Sequence, residues 1–274
     1  MSVDPREELR RIASSLRAYL EWQGESGVVG FPRDAKRWPA SGASPRGVET
    51  GPATSAPAST ARNPVTATTP AVQGEARSER LPILQNEVAS CIKCTLHATR
   101  TQTVFARGSP AAKLCFVGEA PGADEDAQGL PFVGRAGQLL DRMIGAMGLS
   151  PERDVYICNI LKCRPPGNRR PEPEEAASCI PYLHEQLAIV RPRVIVALGN
   201  TSVAALLDTK IGITKLRGQW KLYRGQTLVM PTYHPSYLIR PSAQQAEAKR
   251  QAWEDLQLVM KELGLPSPAK KGEA

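Results

Sequence analysis

Cys91 and Cys94 form a C-x-x-C pair, and Cys163 and Cys179 make a second, wider pair. Four thiolates are the minimum set for a tetrahedral metal ion or an iron–sulfur cluster, and spacing alone leaves structural zinc and a cluster equally open. Cys163 leads straight into Arg164-Pro165-Pro166-Gly167-Asn168, which neither helix nor strand accommodates, so it belongs to a loop. Cys115 and Cys158 fall inside apolar runs instead and read as small buried hydrophobes. Three other segments carry chemistry. Gly118-Glu119-Ala120-Pro121-Gly122 joins glycines that let a ligand approach the backbone to a proline that stiffens the loop. Gly129 to Gly137 holds Phe132 in a Gly- and Pro-rich loop, where an aromatic is either packed or offers a stacking face. Tyr233-His234-Pro235-Ser236-Tyr237 fixes one of only three histidines in a rigid loop, the setting of a catalytic or hydrogen-bonding imidazole. His97 and His184 read as ordinary helix residues.

These segments need elements to position them. Residues 113–119, 154–160, 193–198 and 227–231 are short, β-branched or aromatic runs and read as buried strands. Residues 136–147, 173–190, 200–207 and 246–263 carry apolar residues at helical spacing. The strand, helix, strand rhythm predicts an α/β fold: a single three-layer α/β/α domain with a short, largely parallel central sheet. Ligand groups then gather at the strands' carboxyl ends. Upstream, Leu9, Ile12, Leu16 and Leu20 mark an amphipathic helix within residues 1–24. Residues 25–80, rich in Ala, Pro, Ser and Thr, read as a disordered linker. The domain is expected over 81–265 and a polar tail over 266–274.

Composition narrows the function. Lys and Arg total 35 against 27 Asp and Glu, a net charge of +8 that favours a polyanionic partner, nucleic acid first. No apolar run is long enough to cross a bilayer, and the first residues lack the apolar stretch of a secretory signal. A cytoplasmic protein with reduced thiols is therefore expected, with no membrane association. Six dilute cysteines do not make a secreted disulfide scaffold.

In order along the chain stand C-x-x-C at 91–94, GEAPG at 118–122, GLPFVGRAGQLLD at 129–141, CNILKCRPPGNR at 158–169, Cys179, and HPSYL at 234–238. With these motifs, residues 81–263 resemble family 4 uracil-DNA glycosylases, the iron–sulfur branch of their superfamily. The resemblance implies a [4Fe-4S] cluster on Cys91, Cys94, Cys163 and Cys179, and a monofunctional enzyme of base excision repair. Such an enzyme flips uracil out of single- or double-stranded DNA and hydrolyses its N-glycosidic bond to leave an abasic site. It implies a pocket of Gly118, Glu119, Ala120, Phe132, Asn159 and His234. Phe132 would stack on the base, Asn159 would read its donor–acceptor edge, and His234, helped by backbone N–H groups of 118–122, would stabilise charge on the departing O2. Ala120 stands where related families carry a carboxylate or amide. The water-activating group is thus sought in Glu125 first, with Glu119 shaping the loop. Lys162, Arg164, Arg169 and Arg170 are expected on DNA phosphates, and Tyr237, Leu238, Ile239 and Arg240 as an apolar wedge beside a cation. The rival reading is a catalytically silent, cluster-bearing DNA-binding factor tethered to a repair or replication protein through residues 1–40. A monomer is the default for either.

Overall fold

The computed structural model describes residues 70–266. The helix expected within 1–24 and the polar tail from 267 onward lie outside the described residues, as does most of the linker. A helix over Pro70–Ala89 (α1) reaches back into the stretch read as the linker's end.

Six strands follow: Ala106–Gly108 (β1), Leu114–Gly118 (β2), Val155–Asn159 (β3), Val194–Leu198 (β4), Lys221–Tyr223 (β5) and Thr227–Thr232 (β6). They form one sheet in the order β1-β3-β2-β4-β6-β5. β3, β2, β4 and β6 run parallel, while β1 and β5 pair antiparallel at the two edges. All residues of β2, β3 and β4 are buried, which is why they read as unbroken apolar runs. The two edge strands left no such signal, because three-residue strands are too short to show a period.

The remaining described α-helices are Ala123–Gln128 (α2), Arg135–Ala146 (α3), Pro173–Val190 (α4), Gly199–Leu207 (α5), Ile213–Leu216 (α6), Pro235–Leu238 (α7) and Gln245–Leu263 (α8). Alternation along β2 builds two cores. Leu114 and Phe116 pack with Leu140 and Ile144 of α3 and Leu256 and Val259 of α8. Cys115 and Val117 face Leu84 of α1, Leu183 of α4 and Val203 of α5. The sheet therefore lies between two helical layers, as the strand and helix rhythm implied. Each fully buried Leu or Phe contributes about 1.5–3 kcal/mol of transfer free energy, so this sheet is a stiff platform for whatever its loops carry. Because the four parallel strands point one way, their carboxyl ends bring Gly118, Asn159, Gly199 and His234 to one edge of the sheet.

Candidate active site

Gly118 and Asn159 are direct neighbours at the ends of β2 and β3. A side chain on Gly118 would sit 2.3 Å from Asn159 Oδ1 and 2.4 Å from Phe132 Cζ, so only glycine lets these two groups meet. Asn159 is 2% exposed, and its Oδ1 is buried without a hydrogen-bond partner. Such an acceptor costs about 1–3 kcal/mol while it stays unsatisfied, and a donor arriving from a ligand would recover that loss. Phe132 lies beside it, 5% exposed, with its ring 5.6 Å from the His234 ring and tilted by 33°. Glu119, Ala120, Phe132, Asn159, His234 and Arg240 help line one cavity of about 430 Å³. The pocket residues expected from the sequence are thus neighbours here, although Gly118 serves by making room and is not in the lining.

His234 caps the N-terminus of α7. Its Nδ1 accepts from the Ser236 N–H at 3.1 Å and lies 2.8 Å from Ser236 Oγ. With Nδ1 accepting, the neutral ring carries its proton on Nε2 and offers it as a donor. Burial, reinforced by the Arg240 charge, pushes the imidazole down to about 4, so it is neutral at physiological pH. Gly199, at φ +86 after β4, passes close beneath: a Cβ there would come within 3.0 Å of His234 Cβ.

The two carboxylates are held differently. Glu125 accepts from Gly122 N–H at 3.0 Å with one oxygen, and from Val133 and Gly134 N–H at 2.9 and 3.0 Å with the other. Both oxygens accept from backbone N–H groups, so Glu125 ties the two pocket loops together while it also lines the cavity. Glu119 lines the same cavity, with Oε2 accepting a single bond from Thr201 Oγ1 at the start of α5. Thr201 and Gly199 were missed in the sequence, although Gly-Asn-Thr directly after a parallel strand sits where such sheets bind ligands.

Among the residues expected on DNA, Lys162 is 1% exposed, donating from Nζ to Asn159 O at 2.6 Å and to Gln186 Oε1 at 2.5 Å. Desolvation leads the shift of its ammonium below the usual lysine range, and no phosphate can reach it here. Leu238, 1% exposed, packs with Ala248 and Ala252 of α8, so it is part of a core and not a wedge. A lone exposed-looking apolar residue in a short helix gives no sequence signal of which neighbour it faces. Tyr237, 44% exposed, is the aromatic that α7 presents outward. Arg169 is bound by Glu175 through two hydrogen bonds of 2.9 and 2.6 Å, and Arg164 Nε donates to Asn168 Oδ1 at 2.8 Å. Arg170 and Arg240 are exposed, and Arg169, Asn168 and Arg240 stand at the cavity wall.

Cys91, Cys94, Cys163 and Cys179 line one small cavity together with Arg100 and Lys162. Cys91 and Cys94 follow α1, Cys163 follows β3, and Cys179 lies within α4. Arg100 Nη1 donates to Cys163 Sγ at 3.3 Å, and Lys162 N–H donates to Cys179 Sγ at 3.3 Å. Arg100 is itself anchored on Cys91 O at 2.8 Å and Ala89 O at 3.0 Å. Burial pushes the Cys179 thiol up to about 11 and raises Cys163 as well. No three His, Cys, Asp or Glu side chains among the described residues converge on one position closely enough to hold a metal ion. The four sulfurs thus share a cavity without meeting at a point.

A mixed, largely parallel sheet that presents a buried asparagine, an aromatic ring and a neutral histidine at one edge agrees with comparison to known proteins. The profile of the Uracil DNA glycosylase superfamily matches residues 105–257, and the chain belongs to that superfamily. It is 46% identical over 182 residues to a type-4 uracil-DNA glycosylase of Thermotoga maritima, covering 66% of this chain and 93% of that one. Type-4 enzymes of Sulfurisphaera tokodaii (47% over 167 residues; 58% of this chain, 75% of that one) and Archaeoglobus fulgidus (46% over 173 residues; 60% and 85%) are similarly related.

Proposed function

We propose that this chain is a uracil-DNA glycosylase of the type-4 kind, acting in DNA repair by hydrolysing the bond between uracil and its sugar. The observation that carries the reading is the buried, unpaired Asn159 Oδ1 under Phe132 in a cavity shared with His234. Uracil is a flat ring whose edge offers one N–H between two carbonyls. Its N–H would satisfy Oδ1, the asparagine amide would donate to the neighbouring carbonyl, and Phe132 would cover the ring face.

Bond cleavage follows from the same groups. As the C1′–N1 bond breaks, its electron pair moves onto uracil and negative charge develops on O2. The His234 Nε2–H donates there, and stabilises the transition state more than the ground state. A water adds to C1′ of the oxocarbenium-like sugar and gives its proton to a carboxylate. Glu119 is the one we assign, because Thr201 occupies a single oxygen while both Glu125 oxygens are taken by backbone. Arg164, Arg170 and Arg240 would bind phosphates, with Arg169 shared between Glu175 and DNA, and Tyr237 in place of Leu238 would fill the vacated stack.

Cys91, Cys94, Cys163 and Cys179 would hold a [4Fe-4S] cluster. Four cysteines lining one cavity, with N–H donors aimed at two of the sulfurs, are the donor set such a cluster takes. When bound, the cluster supplies cross-links between the segment after α1, the loop after β3, and α4. Among the described residues no helix is long and apolar enough to cross a membrane.

The test is a strand-cleavage assay on oligonucleotides bearing one uracil opposite guanine, opposite adenine or unpaired, followed by alkali. Cleavage by the wild type that is lost in His234→Ala supports the reading. A cluster-loaded, DNA-binding preparation that leaves every substrate intact overturns it and favours the silent repair factor.

A further inference from the structure

Phe132 adopts φ +57, a left-handed conformation that a bulky side chain rarely takes. The other described non-glycine residues with positive φ, Asn168, Arg191, Asp208 and Arg224, are exposed, whereas Phe132 is buried. Strain of this kind persists only where the surroundings over-determine it. Four hydrogen bonds, one ion pair and one glycine do so. Arg107, on edge strand β1 opposite Ile157, donates from Nε to Pro131 O at 2.8 Å and from Nη2 to Phe132 O at 3.2 Å. The same Nη2 pairs with Asp141 of α3. Immediately beyond Phe132, Glu125 takes the N–H groups of Val133 and Gly134. Gly137 leaves space for the Phe132 carbonyl, which a Cβ would meet at 1.8 Å.

We infer that Arg107, oriented by Asp141, is a positioning residue for uracil binding: it fixes the strained turn that lays the Phe132 ring against Gly118 and Asn159. Two consecutive carbonyls are held by one guanidinium and the next two N–H groups by one carboxylate, so the peptide units on both sides of Phe132 are locked. Arg107 is not in the cavity lining, so it acts through Phe132 and not on the base. A lysine does not replace it, because a point-charge ammonium cannot serve two carbonyls and a carboxylate in the guanidinium's fork geometry. This inference rests on the glycosylase reading.

The experiment is a double-mutant cycle on the full, cluster-loaded chain, with single-turnover excision from a uracil oligonucleotide as readout. Arg107→Ala is expected to slow excision by roughly 10-fold or more when Phe132 is present, and by less than about twofold in a Phe132→Ala background. Arg107→Lys should recover less than about half of the logarithmic loss. Losses that add in the double variant, or full rescue by lysine, overturn the inference. So does a salt dependence of DNA binding lowered by roughly one unit of slope in Arg107→Ala, which would mark a phosphate contact. Should Arg107→Ala not fold, Asp141→Asn enters the same cycle and is expected to show the same dependence on Phe132, with additivity again overturning the proposal. An inactive wild type would refute the glycosylase reading, whereas an active wild type with an additive cycle refutes only the role of Arg107.

Discussion

The uracil pocket and the cysteine cavity are assembled from neighbouring segments, yet they are held in opposite ways. In the pocket each working group is fixed by the protein's own hydrogen bonds: Ser236 sets the His234 tautomer, Thr201 holds Glu119, and Glu125 and Arg107 lock the Phe132 loop. Asn159 Oδ1, buried without a hydrogen-bond partner, is an atom that a substrate N–H would satisfy. In the cysteine cavity, among the described residues, two of the four sulfurs receive N–H donors. The pocket is preorganised by the chain, whereas the cysteine site, on the function proposed above, would be cross-linked by a bound cluster. Lys162 belongs to both, with its N–H on Cys179 Sγ and its Nζ on the Asn159 carbonyl.

If that contrast is right, damage to the pocket should slow chemistry without unfolding the chain, and damage to the cysteines should do the reverse. The largest effect is expected for His234→Ala: a fall of roughly 10²–10³ in single-turnover rate, the cost of losing one preorganised donor to a developing anion. Its thermal midpoint should stay within a few degrees of wild type, and a large drop there would break the contrast. Next comes Cys94→Ser, which should abolish visible absorbance from a cluster and lower the thermal midpoint. The rate of its folded fraction should fall less than in His234→Ala, as separated by scaling to DNA-bound protein. A rate loss as large as that of the histidine variant, with stability intact, would reverse the assignment of roles.

The carboxylates sharpen the comparison inside the pocket. Glu119→Gln is expected to lower the rate by roughly 10²-fold, the lower range for a general base, with little change in denaturant midpoint. Glu125→Gln should instead cost about 1–3 kcal/mol of stability through the three backbone N–H groups it serves. Exchange of those two outcomes would restore Glu125 as the water-activating group. The smallest effect concerns pH. Because His234 sits at about 4, its protonation should leave the rate flat through the range where an ordinary histidine, near 6.5, would titrate. An acid limb near 6.5 that Arg240→Gln does not shift would show that the imidazole is not held neutral by its surroundings. Stability carries the matching sign: a histidine whose folded value lies below its unfolded one binds more protons when unfolded. Its contribution is therefore intact above about 6.5 and is lost as pH falls toward about 4.

Much of this was legible from residue order. The interior strands were readable because β2, β3 and β4 are buried on both faces and so are apolar without interruption. His234 stood out as a candidate because it sits at a strand end in a rigid loop, whereas Asn159 came from the family resemblance alone; the structure brings the two to one cavity. Leu238 and Lys162 were misread for one reason: residue type gives polarity, but not which side of a short helix or loop meets the core. Leu238 is enclosed by α8, and Lys162 turns inward onto Gln186, Asn159 O and the cysteine cavity.

The sequence by itself determined the layered α/β architecture, since periodicity is a local property, and its motif order carried the resemblance that singled out the four cysteines and the pocket residues. Tertiary structure alone decided which carboxylate takes one hydrogen bond and which takes three, and that Arg107 reaches the Phe132 turn. Those outcomes depend on partners far away in the chain: Thr201 for Glu119, Val133 and Gly134 for Glu125, and Pro131 and Phe132 for Arg107. A side chain's chemistry is written in its residue type, but whether its hydrogen-bonding capacity is already used is settled only when the chain closes around it.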